Sequence, residues 1–228
     1  MRSLLTYNIL LDMLRAKEPF AFSRWGDGER ACVLGHKGKN CDGHQYHKSL
    51  SVALGNILKR RPAYYMGMQP MAMRNMGASI RGWLNYHQAG RAWHDADMLH
   101  TASMADRLGD FWKILKDRQV VLVSSFNPEE IGRIPLDVKT VNVPIKDAWL
   151  YYDNVLSMLN YTAKNCASDG AVFLFCSGMM TNVLIDETYK EYGDRFTLLD
   201  CGSLFDPLVG RNTRNYHKKI IERNAKCV

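Results

Sequence analysis

The chain has 228 residues, 46% hydrophobic and 23% charged, the make-up of one folded domain of generous size, which excludes a disordered or fibrous chain. No run of about 18 apolar residues occurs, and residues 1–17 read as an amphipathic helix rather than a signal peptide, so no membrane span and a cytoplasmic location are expected. Lys and Arg outnumber Asp and Glu by 30 to 23, and the net charge of +7 favours an anionic partner: a nucleotide, a nucleic acid or an acidic glycan.

A first helix over residues 3–16 is ended by Pro19, and the short apolar run 19–22 reads as a strand. Residues 23–29, Ser-Arg-Trp-Gly-Asp-Gly-Glu, follow it. Asp27 and Glu29 stand one residue apart. Alternate residues of an extended chain point the same way, so both carboxylates would grip one hard cation such as Mn²⁺ or Mg²⁺. Arg24 offers a fork of donors for phosphate, and Gly26 and Gly28 let the backbone approach a ligand. Together these residues suggest a diphosphate ligand; the same Asp-Gly step also spells a solvated hairpin turn.

Next comes a polar, glycine-rich loop over residues 35–43. Cys32, His36, Cys41, His44 and His47 are of types that suit zinc, but their spacings match no structural zinc pattern, and a polar loop near the ligand pocket is the better reading. A helix is predicted over 48–59 and a strand over 63–68, separated by Pro62. Residues 69–110 read as a mostly helical insertion; within it Trp83, Tyr86 and Trp93 suit stacking on a sugar or base, or packing of a helical subdomain.

From residue 102 the pattern becomes regular. Helices are predicted over 102–115, 148–164 and 179–192, and strands over 119–124, 138–143, 171–176 and 196–199. Nearly unbroken apolar runs such as 119–124 suit parallel strands buried on both faces. The alternation implies an α/β fold, Rossmann-like, with a mainly parallel sheet flanked by helices and a helical insertion in the middle. Ligands of such sheets sit beyond the C-terminal strand ends. Those ends carry Asp27 and Glu29, Ser124 and Ser125, Ser177 and Gly178, then Asp200, Gly202 and Ser203. A helix start just after Ser177-Gly178 would offer free N–H groups to phosphate, or Ser177 would serve as a plain N-cap. No GxGxxG or GxxxxGK[ST] pattern occurs.

The segment 23–29 resembles the opening motif of the GT-D-type glycosyltransferases, a small Rossmann-like group first known as a domain of unknown function. Val143–Tyr152 and residues 173–184 look like the family too, with Ser-Gly where many relatives have Gly-Pro, and Leu-Asp-Cys-Gly-Ser-Leu-Phe-Asp at 199–206 is similar to its closing Asp-x-Gly-[His/Ser] segment. The resemblance spans most of residues 1–228 as a single domain, with 69–100 the least matched. It implies a metal-dependent hexosyl- or pentosyltransferase that uses a nucleotide diphosphate sugar, UDP-linked, and a glycan or glycoprotein acceptor. Asp27 and Glu29 take the place of the family's metal motif, and Asp200, Gly202 and Ser203 fall on its terminal pocket segment. Ser203 stands where some members have histidine.

Charge then dictates the chemistry. Bond cleavage leaves negative charge on the diphosphate, which a divalent ion neutralises, and Arg24, Arg211 and Arg214 are candidate donors to it. Asp42, His44 and Asp206 are candidates for a general base toward the acceptor hydroxyl. Three alternatives stand beside this reading: transfer to a modified nucleic-acid base, which no nucleic-acid motif supports; nucleotide binding without turnover, against which the close carboxylate pair argues; and a metal-dependent phosphoesterase, whose sites carry more His and Asp ligands than this sequence places together.

Overall fold

The computed structural model describes residues 4–40, 43–69 and 93–225. Asp42, a candidate base, lies outside the described residues, as do Cys41, Trp83 and Tyr86.

Helix α1 (Tyr7–Ala16) starts where the Thr6 hydroxyl accepts from the Ile9 amide and buries Leu10, Leu11 and Leu14. It leads into β1 (Ala21–Trp25), α2 (Asp27–Val33), α3 (Lys48–Arg60), β2 (Tyr65–Met68) and β3 (His94–Asp95). Helices α4 (Met98–Met104) and α5 (Gly109–Lys116) precede β4 (Val120–Ser124), the short α6 (Pro128–Ile131) and β5 (Val138–Asn142). A 3₁₀ turn (Ala148–Tyr151) runs into α7 (Tyr152–Asn165). Then follow β6 (Val172–Cys176), α8 (Met180–Tyr192), β7 (Thr197–Asp200) and α9 (His217–Ala225).

The seven strands of the described residues are all parallel, in the order β3-β2-β1-β7-β6-β4-β5. Side chains alternate between two cores, as the pleat requires. Val121, Val123, Phe173 and Phe175 face α3, α7 and α8, whereas Val120, Leu122, Val172 and Leu174 face α1, α4 and α5. Connections β1→β2, β5→β6 and β6→β7 run through the first layer; β3→β4 and β4→β5, which cross the sheet the other way, run through the second. Right-handed crossovers dictate that division.

The chain leaves β1 into the first layer, through Cys32 of α2, and leaves β7 into the second, through Leu204 and Phe205. Neighbouring strand ends that diverge to opposite faces open a crevice between them. Here it lies between the ends of β1 and β7.

The structure corrects three local expectations. The strand predicted at 19–22 runs to Trp25, because Ser23 is fully buried and accepts a bond from Trp25 Nε1. The helix predicted over 102–115 is two helices, broken where Asp106 takes φ +58°. The acidic glycine turn is the first turn of α2, closed by one half of a capping box: Glu29 Oε2 accepts from the Gly26 amide at 2.9 Å, and glycine has no side chain to return the bond. Among the described residues no helix is long and apolar enough to cross a membrane.

Candidate active site

The crevice is built from Arg24 on β1, Gly26 and Glu29 at the head of α2, and Asp200, Gly202 and Ser203 after β7. Asp200 is buried and ties the two strands together. Its Oδ2 accepts from the Arg24 amide and its Oδ1 from the Gly202 amide, both at 3.0 Å. Arg24 then reaches across: Nε donates to the Ala96 carbonyl at 2.6 Å and a terminal nitrogen meets Asp97 Oδ1 at 3.1 Å. Gly202, at φ +51°, has the guanidinium where its side chain would stand; a Cβ there would lie 1.9 Å from Arg24 Nη1.

The Asp200 charge reaches Glu29. Burial pushes the Glu29 carboxyl up to about 7; the Asp200 charge adds to that shift, and backbone hydrogen bonds and Arg24 oppose it. Burial likewise lifts Asp200 to about 6, against the pull of Arg24 and two backbone amides. Both carboxyls thus lie within the influence of the Arg24 guanidinium, which Asp97 already engages.

Asp27 and Glu29 do not share a face as they would on an extended chain. Both stand in the first turn of α2, where successive residues turn about 100° around the axis, so their side chains leave the helix about 200° apart. Glu29 folds back to the Gly26 amide; Asp27 is exposed and its Oδ1 accepts from the Gly28 amide at 2.9 Å.

The remaining predicted residues fall into two neighbouring groups. Gly28 is buried against Asn40 and Met179. Asn40 Oδ1 accepts from the His44 amide, and the His44 ring lies 3.2 Å from where a Gly178 Cβ would stand. Gly178 takes φ +62°, as a tight turn requires. Ser177 is not the N-cap: the cap position of α8 is Met179, and the Ser177 hydroxyl bonds Thr181 Oγ1 at 2.7 Å. Ser177 and His44 line one cleft with His47, Asp147 and Trp149.

The second group is held by the C-terminal segment. Arg211 grips Glu130 through two nitrogens at 2.6 and 2.7 Å and donates to the hydroxyl and carbonyl of Ser125, so its fork is committed inside the protein. Ser124, at the end of β4, is buried, and its hydroxyl accepts from the Phe126 amide. Asp206 is buried and accepts from the Thr213 hydroxyl.

Three residues of the crevice had no sequence signal: Asp97, His100 and Tyr216. Ser203 Oγ lies 3.1 Å from the Tyr216 hydroxyl and 3.5 Å from His100 Nε2. These contacts span 13 and 103 residues, so no local spacing could reveal them.

A parallel sheet with helices on both faces and a polar crevice at its C-terminal edge defines an α/β protein of Rossmann-like type. The fold has solved counterparts. One, described as "The highly conserved domain of unknown function 1792 has a distinct glycosyltransferase fold", superimposes with a TM-score of 0.64 at 16% identity, over 97% of this chain and 82% of its own. A selenomethionine-substituted structure of domain of unknown function 1792 gives 0.65 at the same identity and coverage. No protein-family model and no curated protein matches the sequence. The glycosyltransferase fold is what this chain shares with those structures.

Proposed function

We propose that the protein is a metal-dependent glycosyltransferase, a hexosyl- or pentosyltransferase, moving a sugar from a UDP-linked donor to a hydroxyl of a glycan or glycoprotein. The Glu29–Asp200 pair carries this reading: two carboxylates withdrawn from water beside Arg24, in the strand-end crevice of a glycosyltransferase fold.

The residues fit a hard divalent cation. Because Asp27 and Glu29 leave α2 about 200° apart, they would not grip one ion as an adjacent pair: Glu29 in the crevice would hold a hard divalent cation directly, and Asp27 at the surface would act on it through water. Among the described residues no three His, Cys, Asp or Glu side chains converge. Phosphate oxygens of the donor and water would complete the shell of a cation held there, the arrangement Mg²⁺ favours. Bound there, Mn²⁺ or Mg²⁺ would act as a Lewis acid toward the departing diphosphate. Arg24, locked by Ala96 and Asp97, is a preorganised positive charge beside it. Asp200 fixes the backbone of both crevice walls through the Arg24 and Gly202 amides.

Calorimetric titration with UDP and UDP-sugars, with and without Mn²⁺, tests the reading. Binding is expected to require the metal. Asp27→Ala should abolish turnover while moving stability by no more than about 0.5 kcal/mol, as for other exposed positions. Full turnover in both Asp27→Ala and Glu29→Ala would remove the acidic motif from the mechanism.

A further inference from the structure

His100 is 4% exposed on α4 and its Nδ1 is buried with no hydrogen-bond partner among the described residues. Its other nitrogen, Nε2, stands 3.5 Å from Ser203 Oγ, which stands 3.1 Å from the Tyr216 hydroxyl. The His100 and Tyr216 rings meet edge to face, 5.7 Å between centroids at 86°. Three polar groups from three distant segments thus form one chain running from the core to the crevice.

The chain has a direction. Burial and the nearby Arg24, His217 and Arg214 hold His100 far below the usual imidazole range, so it is neutral and carries one N–H. A proton on Nδ1 would be a buried donor without an acceptor, the rarest kind of orphan in proteins. A proton on Nε2 leaves only an unused lone pair at Nδ1 and donates to Ser203 Oγ. The Ser203 hydroxyl then turns its hydrogen to Tyr216, and the Tyr216 hydrogen is left for an acceptor outside the chain. Burial raises the phenol above its ordinary range, so it keeps that hydrogen at neutral pH. Each donor polarises the next along such a series.

The charges beside the outer end select the ligand. Arg24 and Arg214 act on both His100 and Tyr216, and Asp97, itself paired with Arg24, is the carboxylate that opposes them at Tyr216. A lone O–H donor beside two guanidiniums suits an anionic oxygen.

We propose that Tyr216 binds a phosphate oxygen of the diphosphate ligand through its hydroxyl hydrogen, and that His100, acting through Ser203, is the positioning residue that sets the direction of that donation. The ligand's identity rests on the donor reading above; the anion site does not.

Inorganic pyrophosphate, UDP and uridine are the probes, titrated by calorimetry into the full chain in the presence of Mn²⁺. Tyr216→Phe is expected to weaken pyrophosphate and UDP about tenfold, the size of one hydrogen bond to a charged group, and to leave uridine unchanged. His100→Phe should weaken the same two ligands by a smaller factor, and His100→Gln, which keeps an N–H donor on that side, should restore them. The double variant His100→Phe/Tyr216→Phe should bind no worse than Tyr216→Phe alone, because the relay ends at the missing hydroxyl. A packing role would instead give additive losses, no rescue by glutamine and weaker uridine binding. Wild-type affinity for pyrophosphate in Tyr216→Phe, or no pyrophosphate binding by the wild type, overturns the inference. Pyrophosphate binding with this pattern but no UDP-sugar turnover would sink the donor reading and keep the anion site; turnover indifferent to Tyr216→Phe would do the reverse.

Discussion

Gly202→Ala is the sharpest test of how the crevice is held. The residue sits at φ +51°, and an added Cβ would lie 1.9 Å from Arg24 Nη1, 3.1 Å from Arg24 Cζ and 3.7 Å from His100 Cε1. Left-handed backbone costs a non-glycine residue about 1–2 kcal/mol. The guanidinium must also move, and it is 13% exposed and tied to Ala96 and Asp97. Loosening those charged hydrogen bonds adds about 1.5–3 kcal/mol, for a total of about 3–5 kcal/mol. Gly35→Ala supplies the control, since Gly35 has φ +73° and an added Cβ there would meet nothing within 4 Å; it should cost about 1–2 kcal/mol of backbone strain alone. Urea denaturation of the two variants measures the difference, and melting should fall by about 10 °C for Gly202→Ala. In an Arg24→Ala background the Gly202 substitution should cost no more than the Gly35 control. A Gly202→Ala protein within about 1 kcal/mol of Gly35→Ala would refute the locked position of Arg24.

Glu29 and Asp200 should make stability pH-dependent when no divalent cation is added. Both carboxyls are raised in the fold, Glu29 from 4.5 to about 7 and Asp200 from 3.8 to about 6, so the native state keeps protons the unfolded chain has released. Stability is then full below the ordinary carboxylate range and is lost as pH rises toward 7, on the order of 3 kcal/mol for Glu29. Urea midpoints at pH 5 and pH 8 measure this; Glu29→Gln should flatten the slope, and an unchanged slope would contradict the buried pair. The Arg211–Glu130 pair, with side chains 22% and 15% exposed, should show a coupling of about 1–3 kcal/mol in a double-mutant cycle of Arg211→Lys with Glu130→Gln. A coupling under about 0.5 kcal/mol would mean that the C-terminal segment is held by other contacts.

The sheet was legible because its strands are buried on both faces. Val120–Ser124 and Val172–Cys176 carry almost no polar residue, and an unbroken apolar run has few other homes. β1 was half legible for the opposite reason: Ser23 and Arg24 are polar, yet a tryptophan N–H and an aspartate make them acceptable inside the strand. The helix after it was hidden by Gly-Asp-Gly, a turn signature, although Gly26 and Glu29 already stood at capping-box spacing. That cap matters for chemistry, because it ties Glu29 back to the Gly26 amide, away from Asp27, where the Asp200 charge reaches it. The partner of Glu29 is thus set by topology: β7, the last strand, lies beside β1, the first, and puts Asp200 in hydrogen-bond contact with a backbone amide 176 residues earlier. Spacing along the chain can propose carboxylates, but only the order of strands decides which two share a site.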